Sequence, residues 1–151
     1  MSDRLAVVVA DPDARSRVRA MNALAEEFDV DSPLPGEVLG KVVRRLQPAI
    51  VLLAMPRNRM NEALRTCRRI KTEPRHHPVV GLLDRWARLD DPEAALARCL
   101  GDGYLAGRAG PEDYLAFARA LARGERPIVL LEPELGLLGH LIRTNRLRRR
   151  R

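Results

Sequence analysis

Short runs of β-branched and aliphatic residues alternate with helical periodicities along most of this chain. Residues 5–9, 48–53 and 78–83 are almost continuously apolar, which is typical of strands that are covered on both faces. Between these runs, apolar residues recur every three or four positions, as in amphipathic helices. Strands that alternate with helices in this way predict βαβ units and a parallel sheet.

The helices predicted between the strands have recognisable ends. Asp13 is a candidate N-cap of the first helix, which we expect to end near Phe28 with Val18 on its inner face. The second helix is expected to turn Val38 inward. Weaker strands at Val30 and at residues 104–106 complete the pattern. The prediction is an α/β fold with a doubly wound, five-stranded parallel sheet, in which ligands collect beyond the carboxyl ends of the strands.

The end of the chain departs from this rhythm. We expect residues 1–124 to form the α/β domain and residues 125–151 to form a C-terminal extension. The extension starts with a strand-like run at 127–131, continues as an amphipathic helix from Leu135 to Leu147 and ends in an Arg-rich tail. One face of that helix carries Leu138, Leu141 and Ile142. Such an apolar strip packs on its own domain, docks on a partner (a homodimer included) or rests on a membrane surface, in that order of preference.

Composition narrows the class of protein. A chain of 151 residues with 46% hydrophobic residues is one ordinary domain, and its 3% aromatic content makes the core aliphatic. The net charge of +7 favours an anionic partner without naming its kind. Cys67 and Cys99 lack C-x-x-C spacing and are interpreted as small buried hydrophobes in a reducing compartment. No targeting segment or membrane span is visible, so we expect a cytoplasmic protein.

Four segments together resemble the receiver domain of bacterial two-component response regulators. They are VVVAD at 7–11, PAIVLLAMP at 48–56, PVVGLL at 78–83 and GDGYL at 101–105. The resemblance covers about residues 4–123. It implies a pocket at the strand ends in which an acidic pair holds magnesium, an Asp after the third strand accepts a phosphoryl group, and a hydroxyl and a lysine complete the site.

The phosphoacceptor position of the family carries no nucleophile in this chain. No Asp or Glu occurs between Glu37 and Glu62, and the third predicted strand lies inside that interval. The acceptor position falls on Ala54 when the strand is aligned at its start and on Leu52 when it is aligned on the Met-Pro pair that follows. Since neither residue is a nucleophile, the usual aspartyl phosphorylation is excluded with either alignment. The sequence is thus similar to a degenerate receiver.

The other pocket positions are changed as well. The hydroxyl position falls on Leu83 and the lysine position on Gly107. Of the acidic pair only Asp11 remains, with Asp13 nearby. Asp84 follows the fourth strand and caps the next helix or pairs with a neighbouring arginine. The alternative is a three-carboxylate metal site with a phosphatase-like function. The degenerate pocket therefore consists of the following residues: Asp11, Asp13, Ala54, Leu83, Asp84 and Gly107.

Three aromatic residues are candidates for a partner surface: Trp86, Tyr104 and Tyr114. In the family that the chain resembles, an aromatic residue at the position of Tyr104 moves between exposed and buried states. Its alternative role is to fill the sheet edge. The strip of Leu138, Leu141 and Ile142 is the second candidate contact.

Arginines gather in two segments, one in the third helix and one in the tail. The candidate basic patch comprises six of them: Arg65, Arg68, Arg69, Arg146, Arg148 and Arg149. A charged helix face is often merely solvated, and a charged terminus is often disordered. Clustered arginines also neutralise the phosphates of nucleic acids.

Motifs for catalysis are missing. No Gly-rich phosphate loop or nucleophile elbow occurs, and no set of His, Cys and carboxylates has the spacing of metal ligands, so we expect no catalytic residue, metal or cofactor. The sequence predicts a response-regulator-like protein that binds another signalling protein without phosphorylation. The alternative is a nucleic-acid-binding regulator that uses the basic patch.

Overall fold

The computed structural model describes residues 3–132 and 143–146, which form five helices and seven strands. The strands are β1 (Ala6–Ala10), β2 (Asp29–Asp31), β3 (Ile50–Ala54), β4 (Val79–Asp84), β5 (Gly103–Ala106), β6 (Ile128–Leu131) and β7 (Arg143–Arg146). The helices are α1 (Ala14–Leu24), α2 (Leu39–Leu46), α3 (Met60–Lys71), α4 (Pro92–Cys99) and α5 (Pro111–Ala122).

One sheet contains all of these strands, in the order β2-β1-β3-β4-β5-β6-β7. The strands β1 to β6 are parallel, and β7 runs antiparallel to β6. The α/β class and the doubly wound arrangement are confirmed, but the prediction of five parallel strands is one too few. The run that we assigned to the extension forms β6 and pairs with β5, with Tyr104 opposite Ile128. This pairing satisfies the backbone groups that an edge strand would leave open.

The helix predicted from Leu135 to Leu147 is wrong for residues 143–146. These residues form β7, and Arg143 lies opposite Leu131 of β6. Pairing with a neighbouring strand overrides the helical spacing of the apolar residues, which was the only signal for a helix here. Leu138, Leu141 and Ile142 lie outside the described residues.

The core consists of two layers, one on each face of the sheet. Val7 and Val9 of β1 point to the layer beneath α1 and α5, and Val8 points to the layer beneath α2, α3 and α4. This alternation follows from the two-residue period of a strand. Because both faces are covered, the central strands are apolar at nearly every position.

Three details of the helices differ from the prediction. The helix α1 ends at Leu24, and Phe28 packs into the core from the turn that follows it. Val18 is 52% exposed and Val38 is 58% exposed, although the periodicity predicted that both side chains face inward. Val38 is the N-cap of α2, so it precedes the face that packs on the sheet. The described residues include no helix that is long and apolar enough to cross a membrane.

Gly81 allows α5 to approach the middle of β4 closely. A Cβ atom at this position would lie 2.6 Å from the Phe117 ring and 2.7 Å from a methyl group of Leu121. Both neighbours are buried, so neither has free space into which it can move. The apolar run of β4 is therefore interrupted by glycine for a packing reason.

We expect Gly81→Ala to lower the free energy of unfolding by about 1–3 kcal/mol, because the added methyl group overpacks the core between β4 and α5. Urea unfolding followed by circular dichroism measures this change. Gly40→Ala is the matched control, since a Cβ atom in α2 would meet nothing within 4 Å. That variant should be unchanged or more stable by up to about 1 kcal/mol. Equal stability of the two variants would contradict the role assigned to Gly81.

Candidate functional site

The loops that follow β1, β3, β4 and β5 surround one pocket of about 190 Å³ at the carboxyl edge of the sheet. Every residue predicted for the degenerate pocket lines it: Asp11, Asp13, Ala54, Leu83, Asp84 and Gly107. The two candidate acceptor residues of β3 lie in different places. Ala54 lines the pocket, whereas Leu52 is fully buried among the core residues beneath α1 and α5.

The floor of this pocket is largely hydrocarbon. Ala54 ends β3 and lies opposite Leu83 of β4. Gly107 follows β5 with a φ of +104°, and a Cβ atom there would lie 3.0 Å from the Cβ atom of Leu131. Leu131 ends the strand-like run that was predicted at 127–131, and its side chain packs against Gly107. Sequence reasoning missed Leu131 because its pairing with the rest of the sheet was not foreseen.

The two acids after β1 are held by the start of α1. Asp11 accepts a hydrogen bond of 2.9 Å from the N–H of Asp13, and its pKa is raised, chiefly by burial. Asp13 caps α1 by accepting from the N–H of Ser16 at 3.0 Å and from its hydroxyl at 2.7 Å. These two bonds lower the pKa of Asp13, and Arg85 lies 3.7 Å from the same carboxylate.

Asp84 is buried, with 1% of its surface exposed. Its carboxylate accepts from the N–H of Trp86 at 3.2 Å, from the N–H of Arg88 at 2.7 Å and from the hydroxyl of Tyr104 at 2.5 Å. Asp84 therefore holds the loop after β4 through two of its backbone N–H groups. The prediction that it caps the next helix or pairs with an arginine side chain needs correction, because Asp91 is the N-cap of α4.

The carboxylates present do not fit the magnesium ion that the family resemblance implies. Mg²⁺ requires oxygen ligands in octahedral geometry, and Ala54 supplies none. The oxygens of Asp84 are engaged by three protein donors, and Asp13 is turned to the helix that it caps. Within residues 3–132 and 143–146, His, Cys, Asp and Glu form no group of three that could hold a metal ion.

The structure separates the three aromatic candidates. Tyr104 is 1% exposed and Tyr114 is 8% exposed, so both lie inside the domain. The prediction that these two residues belong to a partner surface is therefore wrong. Burial, and secondly the bond to Asp84, raise the pKa of the Tyr104 hydroxyl. Trp86 alone of the three is at the surface, with 46% of its area exposed.

The predicted basic patch is divided. Arg65, Arg68 and Arg69 are exposed on α3, and Arg68 donates to the carbonyl of Arg98 at 2.6 Å. Arg146 lies in β7, which is separated from β3 by β4, β5 and β6. Arg148 and Arg149 lie outside the described residues.

We expect Tyr104→Phe to lower the free energy of unfolding by about 2 kcal/mol at neutral pH, because a buried carboxylate loses one of its three donors. Urea unfolding, followed by circular dichroism, measures the difference. Tyr114→Phe is the control, because it removes a tyrosine hydroxyl that is not among the three donors to Asp84. A loss of less than about 0.5 kcal/mol in Tyr104→Phe would contradict the role of this bond.

The stabilities of the wild-type protein and Tyr104→Phe should converge at alkaline pH. An unfolded tyrosine has a pKa of about 10, and the pKa of folded Tyr104 is raised above this value. Above pH 10 the unfolded chain therefore releases a proton that the folded protein retains, so the stability contributed by Tyr104 falls as pH rises. The wild-type protein should lose more stability than Tyr104→Phe between pH 8 and pH 11. Tyr114, whose pKa is also raised by burial, remains in both proteins and cancels from the comparison.

No protein-family profile matches the chain, and no curated protein matches it in sequence. Solved structures do resemble it. The receiver domain of the putative response regulator NarL from Mycobacterium tuberculosis is 17% identical and has a TM-score of 0.62, with 82% of this chain and 99% of that chain covered. The chemotaxis response regulator CheY4 of Vibrio cholerae is 15% identical with a TM-score of 0.62, and the match covers 80% and 98% of the two chains.

A third similar structure is the CheY-like protein TadZ from Pseudomonas aeruginosa, with 11% identity and a TM-score of 0.63 over 78% of this chain and 99% of that one. At such low identity, these likenesses establish the fold and not the activity. The chain has the flavodoxin-like α/β fold of response-regulator receiver domains, with six parallel strands and five helices in the described part.

Proposed function

We propose that this chain is a receiver-like signalling protein that acts by binding another protein and is not controlled by aspartyl phosphorylation. The observation that carries the proposal is Ala54 at the carboxyl end of β3, where a methyl group faces the pocket. A methyl group has no lone pair with which to attack a phosphoryl group. A kinase therefore has no acceptor at this position.

The hydrogen bonds inside the pocket support the same proposal. The hydroxyl of Tyr104 and the loop after β4 are held by Asp84, a group of the protein itself. In this arrangement no phosphate or metal ion is needed to order the loop. A surface that includes this loop is then present in every folded molecule, so control would come from the amount of the partner or of this protein.

The class of function is binding and not catalysis. The residues that line the pocket include no His, Cys or Lys, and the hydroxyl of Ser16 and the carboxylate of Asp13 are engaged in the cap of α1. Asp11 and Asp84 accept hydrogen bonds from backbone N–H groups. The buried free thiols Cys67 and Cys99 favour a reducing compartment, which supports the cytoplasm as the location. The similar structures described above include response regulators, and the signalling role of this chain is proposed by analogy with that fold.

Acetyl phosphate in the presence of Mg²⁺ tests the proposal. We expect no phosphoryl mass increment on the wild-type protein and no change of its melting temperature with millimolar Mg²⁺. Intact-mass spectrometry and thermal melts measure these two outcomes. An acid-stable, hydroxylamine-labile phosphoryl increment on the wild-type chain would contradict the proposal.

Ala54→Asp is the matched variant for this experiment. It adds a carboxylate to the pocket that Asp11 lines, so Mg²⁺ should raise its melting temperature while the wild-type melt stays flat. At a metal concentration ten times the Kd, the stabilisation would be about 1.4 kcal/mol. A wild-type melt that rises with Mg²⁺ as steeply as the melt of this variant would show that the native pocket binds the metal without the added carboxylate.

A further inference from the structure

A second cavity lies outside the degenerate pocket, where the loop after β3 and the start of α3 face the loop after β4. Its volume is about 470 Å³. The charged residues that line it are four arginines and a single acid: Arg57, Arg59, Arg65, Arg88 and Glu62. We call this cavity the arginine cleft. An excess of positive charge in a concave surface raises the local concentration of anions.

Most of these cations have no internal counterion. Arg57, Arg65 and Arg88 are exposed and form no ion pair within the described part of the chain. Glu62 lies 4.0 Å from Arg59, at the limit of a salt bridge. A guanidinium group has five N–H donors. The four arginines of the cleft therefore carry many more donors than its single carboxylate, Glu62, can accept.

Trp86 lies next to the arginine cleft, in the lining of the degenerate pocket, and contacts the cleft residue Arg57. Its exposed ring lies beneath the guanidinium carbons of Arg57 and Arg85, which are 5.1 Å and 5.4 Å from the ring centre. Cation–π contacts of this kind restrict an arginine while its N–H edge stays free. The backbone N–H groups of Trp86 and Arg88 are both bound by Asp84, so the loop that carries them is fixed as well.

We propose that the arginine cleft binds an acidic segment of a partner protein, with carboxylates on Arg57, Arg65 and Arg88. This inference rests on the protein-binding function proposed above. Guanidinium groups bind carboxylates through two parallel N–H···O bonds, which gives both energy and orientation. Arginines already lie over the indole ring, so the ring is not a free platform for a nucleic-acid base.

A peptide titration tests the proposal directly. The probe is a synthetic peptide of repeated Glu-Glu-Leu, and the control probe is the same peptide with Gln in place of Glu. Trp86 is the single tryptophan of the chain, so its fluorescence reports binding at this site. We expect the Glu peptide to change this fluorescence with an affinity that falls as salt is added, and the Gln peptide to leave it unchanged.

Two triple variants with the same loss of charge separate the cleft from general attraction. Arg57→Ala, Arg65→Ala and Arg88→Ala together should weaken the Glu peptide by at least about tenfold. The control triple is Arg44→Ala, Arg75→Ala and Arg98→Ala, which removes three exposed arginines that do not line the cleft and should change the affinity less than about twofold. Arg57→Lys keeps the charge and the fold but loses bidentate contact, so an intermediate loss is expected.

Equal weakening in the two triple variants would overturn the proposal, because it would show attraction by net charge alone. Tighter binding of an oligothymidylate than of the Glu peptide, with the same dependence on the cleft arginines, would assign the site to nucleic acid and would also overturn it. No binding of the Glu peptide would reject the arginine cleft as the contact. That last result leaves the phosphorylation-independent function standing, because the acetyl phosphate experiment tests it separately.

Discussion

A carboxylate buried at the end of a central strand must find donors within the protein, and Asp84 finds three of them. Two come from the backbone of the loop after β4, and the third is the hydroxyl of Tyr104 on the neighbouring strand β5. The loop, the strand and the pocket floor are thereby joined through one side chain. Losing a donor leaves the buried charge less well compensated, so the loop has little freedom to rearrange.

The sixth parallel strand determines the packing at the end of β5. Pairing of β6 with β5 brings Leu131 against Gly107, at the point where the receiver domains that the chain resembles carry a lysine. Glycine is suited to this point for two reasons, since its φ is +104° and a Cβ atom would crowd the Leu131 backbone. Apolar packing between β5 and β6 therefore occupies the end of β5 in this chain.

Sequence reasoning recovered what depends on local pattern. The alternation of β and α elements, the residues at the strand ends and their assembly in one pocket all follow from periodicity and from parallel topology. It failed where distant pairing decides the outcome. The strand β7 replaced a predicted helix because β6 offered an open edge, and burial of Tyr104 depends on Asp84, a residue 20 positions away. Likewise, Lys71 of α3 is largely buried and lies 2.7 Å from Asp102, a contact that no local pattern indicates.

A permanently ordered loop has an energetic consequence for binding. When a binding surface forms only in a minor conformation, the apparent affinity is reduced by the fraction of molecules in that conformation. The contacts of Asp84 remove this reduction for the loop that carries Trp86 and Arg88, because they are made within the protein itself. The cation–π contacts of Trp86 restrict Arg57 and Arg85 before any partner arrives, which lowers the entropy lost on association. Under the proposed function, these internal hydrogen bonds favour a surface whose affinity is constant, and whose occupancy follows the concentration of the partner.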